Sequence, residues 1–163
     1  MHILIKNKFL LYNNYRIKCA VGKRGIKKKL KEGDLITPTG KFKVKLIMYR
    51  KDRIKKLSTS LKKLTIKKNM GWCDDPDSNK YNKLINLPFK YNHEKLFRKD
   101  RIYDIILVLN YNMNPIKKNK GSAIFIHVAK NNFKPTRGCV ALKKNEILKI
   151  TKELRPGSEV KII

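Results

Sequence analysis

The sequence is poor in acidic residues, in cysteine and in long apolar runs. Aspartate and glutamate number 12 against 41 lysine and arginine residues, which gives a formal net charge of +29. No run approaches the ~20 consecutive apolar residues of a membrane-spanning helix. The three cysteines form no CxxC pair and show no Cys/His spacing typical of zinc sites, so we expect neither a disulfide framework nor a bound metal.

The excess of positive charge predicts attraction to polyanions such as nucleic acid, anionic lipid or an acidic cell-wall polymer. Lysine supplies 33 of the 41 cationic side chains, whereas proteins that read bases rely mainly on arginine. The lysine-rich stretch "LKKLTIKK" also lacks aromatic residues for stacking on bases. We therefore expect nonspecific polyanion contact and no specific nucleic-acid binding. Frequent A/T-rich codons, which encode lysine, asparagine and isoleucine, are the competing explanation for the charge.

The apolar pattern predicts a chain built mainly from strands. The length of 163 residues fits one domain, residues 1–163, of a size that buries roughly 70% of its unfolded-chain surface. Alternation of apolar side chains with lysine in "KFKVKLIMY" predicts a half-buried strand. Further short apolar runs predict strands at residues 3–5, 9–12, 15–21, 103–112 and 121–128.

The C-terminal part of the chain predicts a helix. In "KKNEILKITKEL", Ile147, Leu148, Ile150 and Leu154 fall on one helical stripe, and "RPGSEVKII" ends the helix and adds a last strand. Residues 93–98 fit one short helical turn, and residues 50–68 fit a strand, a loop or a short helix. Together the patterns predict a mainly-β fold, a β-sandwich of mixed sheets with one or two helices.

One segment, "IFIHVAKNNFKPTRGCVAL", carries a candidate thiol nucleophile. A cysteine attacks carbonyl groups only as the thiolate, and a neighbouring imidazole can remove its proton. His127 ends a predicted buried strand, which would hold the ring rigidly. Gly138 permits a tight turn that would expose the sulfur of Cys139 and leave backbone N–H groups beside it. The competing interpretation is a structural cysteine in an ordinary loop of a basic protein.

Residues 122–142 resemble the active-site segment of the L,D-transpeptidase (YkuD-type) catalytic domain family, in which a strand ending in histidine precedes a Ser/Thr-x-Gly-Cys motif. The segment "CAVGKRGIKKKLKEGDLITPTGKFKV" is similar to the family's upstream segment, and "WCDDPDSNKYNKLINLP" and "HEKLFRKDRIYDIILVLNYN" are similar to a branch of small bacterial proteins in this family. The resemblance extends over residues 18–163. It implies a β-sandwich of two mixed sheets carrying a helix.

The resemblance implies a cysteine acyltransferase that acts on peptidoglycan stem peptides without a cofactor or a metal. Cys139 would be the nucleophile and His127 its general base. Gly138 together with Cys139 would shape the oxyanion pocket, and Thr136 would support the loop by hydrogen bonding. The acyl-enzyme would then be resolved by an amine on a neighbouring stem, which gives a cross-link, or by water.

Two further residues are candidates for substrate contact. Many members of the family have histidine directly before the Gly-Cys pair, and here the position is Arg137, which can bind a carboxylate through two hydrogen bonds. Trp72 is the second candidate, as an aromatic residue that could line the groove. The acceptor specificity of the family therefore does not transfer to this chain.

Two other functions remain open from the sequence. The same fold could hydrolyse stem peptides as an L,D-carboxypeptidase, or the chain could be a non-enzymatic polyanion-binding domain. The resemblance predicts a location in the periplasm or cell envelope. The N-terminal residues show no clean signal peptide, which leaves a cytoplasmic location open.

Overall fold

The computed structural model describes residues 1–163. The chain forms fourteen strands, one α-helix and one short 3-10 turn. The helix, α1, covers Lys144–Glu153, and the 3-10 turn covers Asn131–Phe133. The strands are β1 His2–Lys6, β2 Phe9–Tyr12, β3 Tyr15–Lys18, β4 Ile26–Lys27, β5 Thr37–Pro38, β6 Gly40–Tyr49, β7 Lys63–Thr65, β8 Met70–Cys73, β9 Leu84–Asn86, β10 His93–Lys95, β11 Ile105–Leu109, β12 Phe125–Val128, β13 Val140–Leu142 and β14 Glu159–Ile162.

Nine strands form one large mixed sheet. Its order is β13-β12-β11-β6-β14-β1-β2-β3, and β7 also pairs with β6. Smaller sheets have the orders β10-β8-β9 and β4-β5. The sheets form a nearly closed, barrel-like sandwich, so the predicted mainly-β fold class is confirmed. No helix in the structure is both long enough and apolar enough to cross a membrane.

The large sheet separates two hydrophobic cores. Successive side chains of a strand point to opposite faces, and β11 is buried on both. Ile105 and Leu107 enter the larger core of 24 buried residues, while Ile106 and Val108 enter the smaller core of 9. The fully apolar sequence of β11 follows from this placement, because neither face meets water.

Helix α1 packs against the larger core, as its apolar stripe predicts. Ile147, Ile150 and Leu154 are all buried there, and each such side chain contributes roughly 1.5–3 kcal/mol through removal from water. The helix ends where the Leu154 N–H donates to the Ile150 carbonyl. The chain then turns through Pro156 and returns as β14, parallel to β1.

The structure corrects the prediction for residues 93–98. They contain strand β10 and no helical turn, because Glu94 pairs with Trp72 in an antiparallel ladder between β10 and β8. Of residues 50–68, whose structure the sequence left open, only Lys63–Thr65 form a regular element, strand β7. The opening meander is confirmed as β1, β2 and β3, although its third strand ends at Lys18.

Candidate active site

Two parallel neighbouring strands bring Cys139 and His127 to the same face of the large sheet. In the ladder between β12 and β13, Ile126 pairs with Val140 and His127 with Ala141. Because side chains alternate along a strand, His127 shares its face with Phe125, and Cys139 shares its face with Ala141. This is the face of the smaller core. Both Cys139 and His127 line one cavity of about 320 Å³.

The sulfur of Cys139 is held by two backbone groups. Its S–H donates to the carbonyl of Ala123 over 3.1 Å, and the N–H of Phe125 donates to the sulfur over 3.4 Å. The side chain is only partly exposed. Burial raises the pKa of the Cys139 thiol to about 12, because a thiolate loses solvation in this environment. Cys139 is therefore a neutral thiol near pH 7.

His127 presents a neutral imidazole of defined tautomer. The ring is 7% exposed, and its Nδ1 lies 2.9 Å from the carbonyl oxygen of Val128. Since a carbonyl can only accept, Nδ1 carries the proton and Nε2 is free to accept one. Burial lowers the pKa of His127 to about 4. The Tyr103 ring packs edge-on against the imidazole, with centroids 5.5 Å apart.

The loop before Cys139 is fixed by the Thr136 hydroxyl. Its Oγ1 donates to the Cys139 carbonyl over 2.5 Å and accepts the Gly138 N–H over 3.1 Å. The Gly138 carbonyl in turn accepts from the Thr37 hydroxyl at 2.8 Å. The N–H of Cys139 has no hydrogen-bond partner. This amide is therefore the donor beside the sulfur that can stabilise an oxyanion.

Only glycine fits at position 138. Gly138 has φ +139°, a region that side-chain-bearing residues rarely adopt, and a Cβ built there would lie 2.9 Å from the Ile36 carbonyl oxygen. The close approach brings the segment that contains Ile36 and Thr37 directly against the nucleophile loop. The glycine predicted to allow a tight turn therefore also allows this backbone contact.

Arg137 and Trp72, the two residues predicted to contact substrate, lie in different environments. Arg137 is exposed and lines the cavity, where it can reach a ligand. Trp72 is a core residue, which corrects the expectation that it lines the groove. It is 4% exposed, its ring packs edge-on against Phe125 with centroids 5.3 Å apart, and its Nε1 donates to Asn82 Oδ1 over 3.1 Å. Burial of both the ring and its polar atom leaves nothing to contact a substrate.

Sequence reasoning missed Asn82, which anchors the backbone beneath the thiol. Asn82 is 2% exposed, and its Oδ1 accepts the N–H of Ala123 over 3.0 Å as well as the Trp72 N–H. Its Nδ2 donates to the carbonyls of Tyr111 and Asn112 at 3.0 and 2.7 Å. Asparagine in a turn-rich segment signals a positive φ, which Asn82 has at +55°. Nothing in the sequence indicates which distant backbone groups it binds.

Charged side chains surround the cavity mouth. Glu32, Asp74 and Glu94 line it, together with cations that include Lys130 and Lys134. No group of three or more His, Cys, Asp or Glu side chains is arranged to hold a metal ion.

A family model matches almost the whole chain. The model of the family described as the L,D-transpeptidase catalytic domain matches residues 3–162. The matched range includes Cys139, His127 and every other residue of the cavity. A search of the curated proteins finds no match to the chain.

Proposed function

Because the chain belongs to the L,D-transpeptidase catalytic domain family, we propose that it is a cysteine acyltransferase acting on peptidoglycan stem peptides. The single observation that carries the proposal is the shared cavity of Cys139 and His127. The protonation state of each residue supports the proposal: Cys139 is a neutral thiol, and His127 is a neutral imidazole whose Nε2 can accept a proton.

In the first step, Cys139 attacks the carbonyl carbon between an L-centre and a terminal D-residue of the stem peptide. The S–H leaves its hydrogen bond to the Ala123 carbonyl and passes its proton to His127 Nε2 as the C–S bond forms. The carbonyl π electrons move onto oxygen, where the free N–H of Cys139 donates to the developing oxyanion. The anionic tetrahedral centre then lies beside the imidazolium, so the two charges stabilise each other.

In the second step, the tetrahedral centre collapses to a thioester. The C–N bond breaks, the imidazolium of His127 returns its proton to the leaving nitrogen, and the terminal D-amino acid departs. An amine on a neighbouring stem then attacks the thioester and gives a cross-link. His127 again takes the proton from the attacking group and returns it to the Cys139 sulfur as the C–S bond breaks, which restores the thiol. Water in place of the amine gives a shortened stem peptide.

Burial explains why the nucleophile forms only when substrate is present. Burial raises the pKa of Cys139 to about 12 and lowers the pKa of His127 to about 4. Before substrate binds, the thiolate of Cys139 and the imidazolium of His127 are both disfavoured, because the buried site solvates each charged form poorly. Proton transfer becomes favourable when the sulfur is committed to a new bond. The substrate class places the proposed site of action in the cell envelope.

The proposal is tested by removing the thiol. Cys139→Ala should abolish processing of a stem tetrapeptide and covalent labelling by a carbapenem-type acylating agent, followed as a mass increase of the intact protein. Cys19→Ala and Cys73→Ala are the matched controls, because both thiols are buried, at 1% and 0% exposure, and outside the cavity. Both controls should retain labelling. Labelling that persists in Cys139→Ala rejects the proposal, and the ratio of dimer to free tripeptide separates cross-linking from hydrolysis.

A further inference from the structure

One half of the large sheet is covered on a single face only. Over β14, β1, β2 and β3, inward side chains such as Ile3, Leu10 and Val160 belong to the larger core. The outward side chains of the same strands belong to neither core, because the smaller core lies over the other half of the sheet, at β11 and β12. Together with the first half of β6, these four strands present an uncovered face.

The uncovered face is strongly positive. Six cationic side chains point outward from it, and we call them the basic face: Lys6 on β1, Arg16 and Lys18 on β3, Lys41 and Lys43 on β6, and Lys161 on β14. All six are exposed, and none forms an ion pair with a carboxylate. The only acidic side chain among them is that of Glu159, which lies opposite Lys43 in the ladder.

The strand register places like charges side by side on the basic face. Lys41 lies directly opposite Lys161, and like charges at opposite positions of a ladder repel each other. The row continues from Lys161 through Leu4 and Leu11 to Arg16. It crosses four strand-to-strand steps, which is about 19 Å. A negatively charged surface laid across this row would relieve the repulsion.

The centre of the basic face is apolar. Leu4 lies opposite Leu11, and Phe9 lies opposite Lys6 on one side and Lys18 on the other. The three apolar side chains are half-buried and pack against neither core. Apolar side chains surrounded by lysine favour binding to an anionic membrane, because the apolar groups enter the headgroup region while the cations contact lipid phosphates.

The same side chains argue against nucleic acid as the partner. Proteins bind single strands largely by stacking bases on accessible aromatic rings. Phe9 is the aromatic residue at the centre of the face, and the Arg16 guanidinium covers its ring at 3.8 Å from the centroid. Leu4 and Leu11 offer a base neither a ring nor a hydrogen bond, whereas their transfer from water into lipid is favourable.

We propose that the basic face docks the protein onto an anionic lipid bilayer. Its lysine and arginine side chains contact lipid phosphates, and Leu4 and Leu11 enter the headgroup region. None of these residues lines the cavity that contains Cys139, so docking does not use the candidate active site. The inference goes beyond the proposed acyl-transfer function and does not depend on it.

Sedimentation with lipid vesicles tests the role of charge. The unmodified protein should bind vesicles of phosphatidylcholine with roughly one-third phosphatidylglycerol at least about tenfold more tightly than vesicles of phosphatidylcholine alone. A triple variant that combines Lys6→Gln, Lys41→Gln and Lys161→Gln should lower the partition coefficient for the anionic vesicles at least about tenfold. Equal binding of both vesicle types by the unmodified protein overturns the proposal.

A second triple variant is the matched control for net charge. It combines Lys143→Gln, Lys149→Gln and Lys152→Gln, which removes the same charge from exposed residues in and beside α1. Because α1 packs on the larger core, these residues lie on the other side of the sheet from the basic face. The control should bind the anionic vesicles within about threefold of the unmodified protein. Equal losses in the two triple variants would assign the binding to overall charge and overturn the proposal.

Fluorescence quenching tests whether apolar side chains enter the bilayer. The added indole of Leu11→Trp should be quenched by vesicles that contain brominated phosphatidylglycerol. The unmodified protein is the control, since Trp72 is 4% exposed and belongs to the smaller core. Leu11→Gln should lower the partition coefficient at least about threefold. The proposal is overturned by an unquenched Leu11→Trp, by normal vesicle binding of Leu11→Gln, or by tighter binding of the unmodified protein to single-stranded RNA than to anionic vesicles at equal phosphate concentration.

Discussion

The thiol of Cys139 donates a hydrogen bond to the carbonyl of Ala123, with 3.1 Å between sulfur and oxygen. Ala123 has φ +45°, which is uncommon for a residue with a side chain. Its N–H is held by Asn82 Oδ1, a side chain from the turn between β8 and β9 that is itself fixed by three further hydrogen bonds. The resting position of the nucleophile therefore depends on a buried amide that touches neither the sulfur nor the imidazole.

Replacing this amide should affect both stability and reactivity. Asn82→Ala removes four hydrogen bonds and leaves the Ala123 and Trp72 N–H groups unpaired, so the free energy of unfolding should fall by about 2–4 kcal/mol. The rate of Cys139 acylation should fall at least about tenfold, because Ala123 no longer has an anchor. Urea unfolding and the time course of labelling by a carbapenem-type agent measure the two effects.

Asn13→Ala is the control for Asn82→Ala. Asn13 also has a positive φ, +48°, but it is exposed and makes one side-chain hydrogen bond, to Glu153. Its replacement should cost about 1 kcal/mol or less and leave labelling unchanged. An Asn82→Ala protein that is acylated at the normal rate would show that Ala123 is held without this amide.

Gly138→Ala should displace the nucleophile loop. The added Cβ would be 2.9 Å from the Ile36 carbonyl oxygen, and φ is +139°, so strain and a backbone clash act together. We expect a loss of about 2–3 kcal/mol in unfolding free energy and a loss of acylation at least about tenfold. Gly157→Ala has φ +85° and open space around its Cβ, so it should cost about 1 kcal/mol with acylation intact. If Gly138→Ala and Gly157→Ala lower the unfolding free energy and the acylation rate equally, the contact with the Ile36 carbonyl oxygen is not the cause.

Local pattern was sufficient to predict β1, β2, β3, β6, β11, β12, β14 and α1, because each depends on burial of alternate or stripe-forming side chains, but it did not predict the short strands β4, β5, β8, β9 and β13. The run that became β11 is apolar on both faces since both cores meet there, and Ile147, Ile150 and Leu154 mark the buried side of α1. The prediction failed at residues 93–98. There the antiparallel pairing of Glu94 with Trp72 makes the segment a strand, and the local sequence does not indicate this partner.

Residues brought together from distant segments were not predictable. The sequence does not indicate that Glu32, Asp74 and Glu94 line the same cavity. The sequence makes Trp72 a candidate for the substrate groove, since an aromatic residue could line it, although an aromatic beside a turn is more often a core residue. Its contacts with Phe125 and Asn82 place it in the core, and Phe125 is remote in sequence.

We expect Thr136 to support acylation of Cys139 through its hydroxyl group. Thr136→Val keeps the shape of the side chain but removes the hydrogen bonds with the Cys139 carbonyl and the Gly138 N–H. The rate of acylation should fall about tenfold and the unfolding free energy by about 1–3 kcal/mol. Thr136→Ser retains the hydroxyl and should stay within about threefold of the unmodified rate, a difference of well under 1 kcal/mol. Labelling kinetics of the two variants side by side give the answer, and identical rates would exclude a role for the hydroxyl.

The buried imidazole of His127 should make the fold sensitive to acid. Burial lowers the pKa of His127 from 6.5 to about 4, so between these values the unfolded chain binds a proton that the folded chain does not. The unfolded state is then favoured by acidification, and the free energy of unfolding should fall as pH decreases through this window. The full contribution is about 3 kcal/mol, present above pH 6.5 and lost by about pH 4.

Urea unfolding of the unmodified protein and of two histidine variants across this window isolates the contribution of His127. His127→Gln should remove most of the pH dependence, because glutamine does not titrate. His93→Gln changes a half-buried histidine outside the Cys139 cavity and should retain the dependence. If the unmodified protein is equally stable at both ends of the window, the pKa of His127 is not lowered by folding, and the imidazole is not desolvated as its burial predicts.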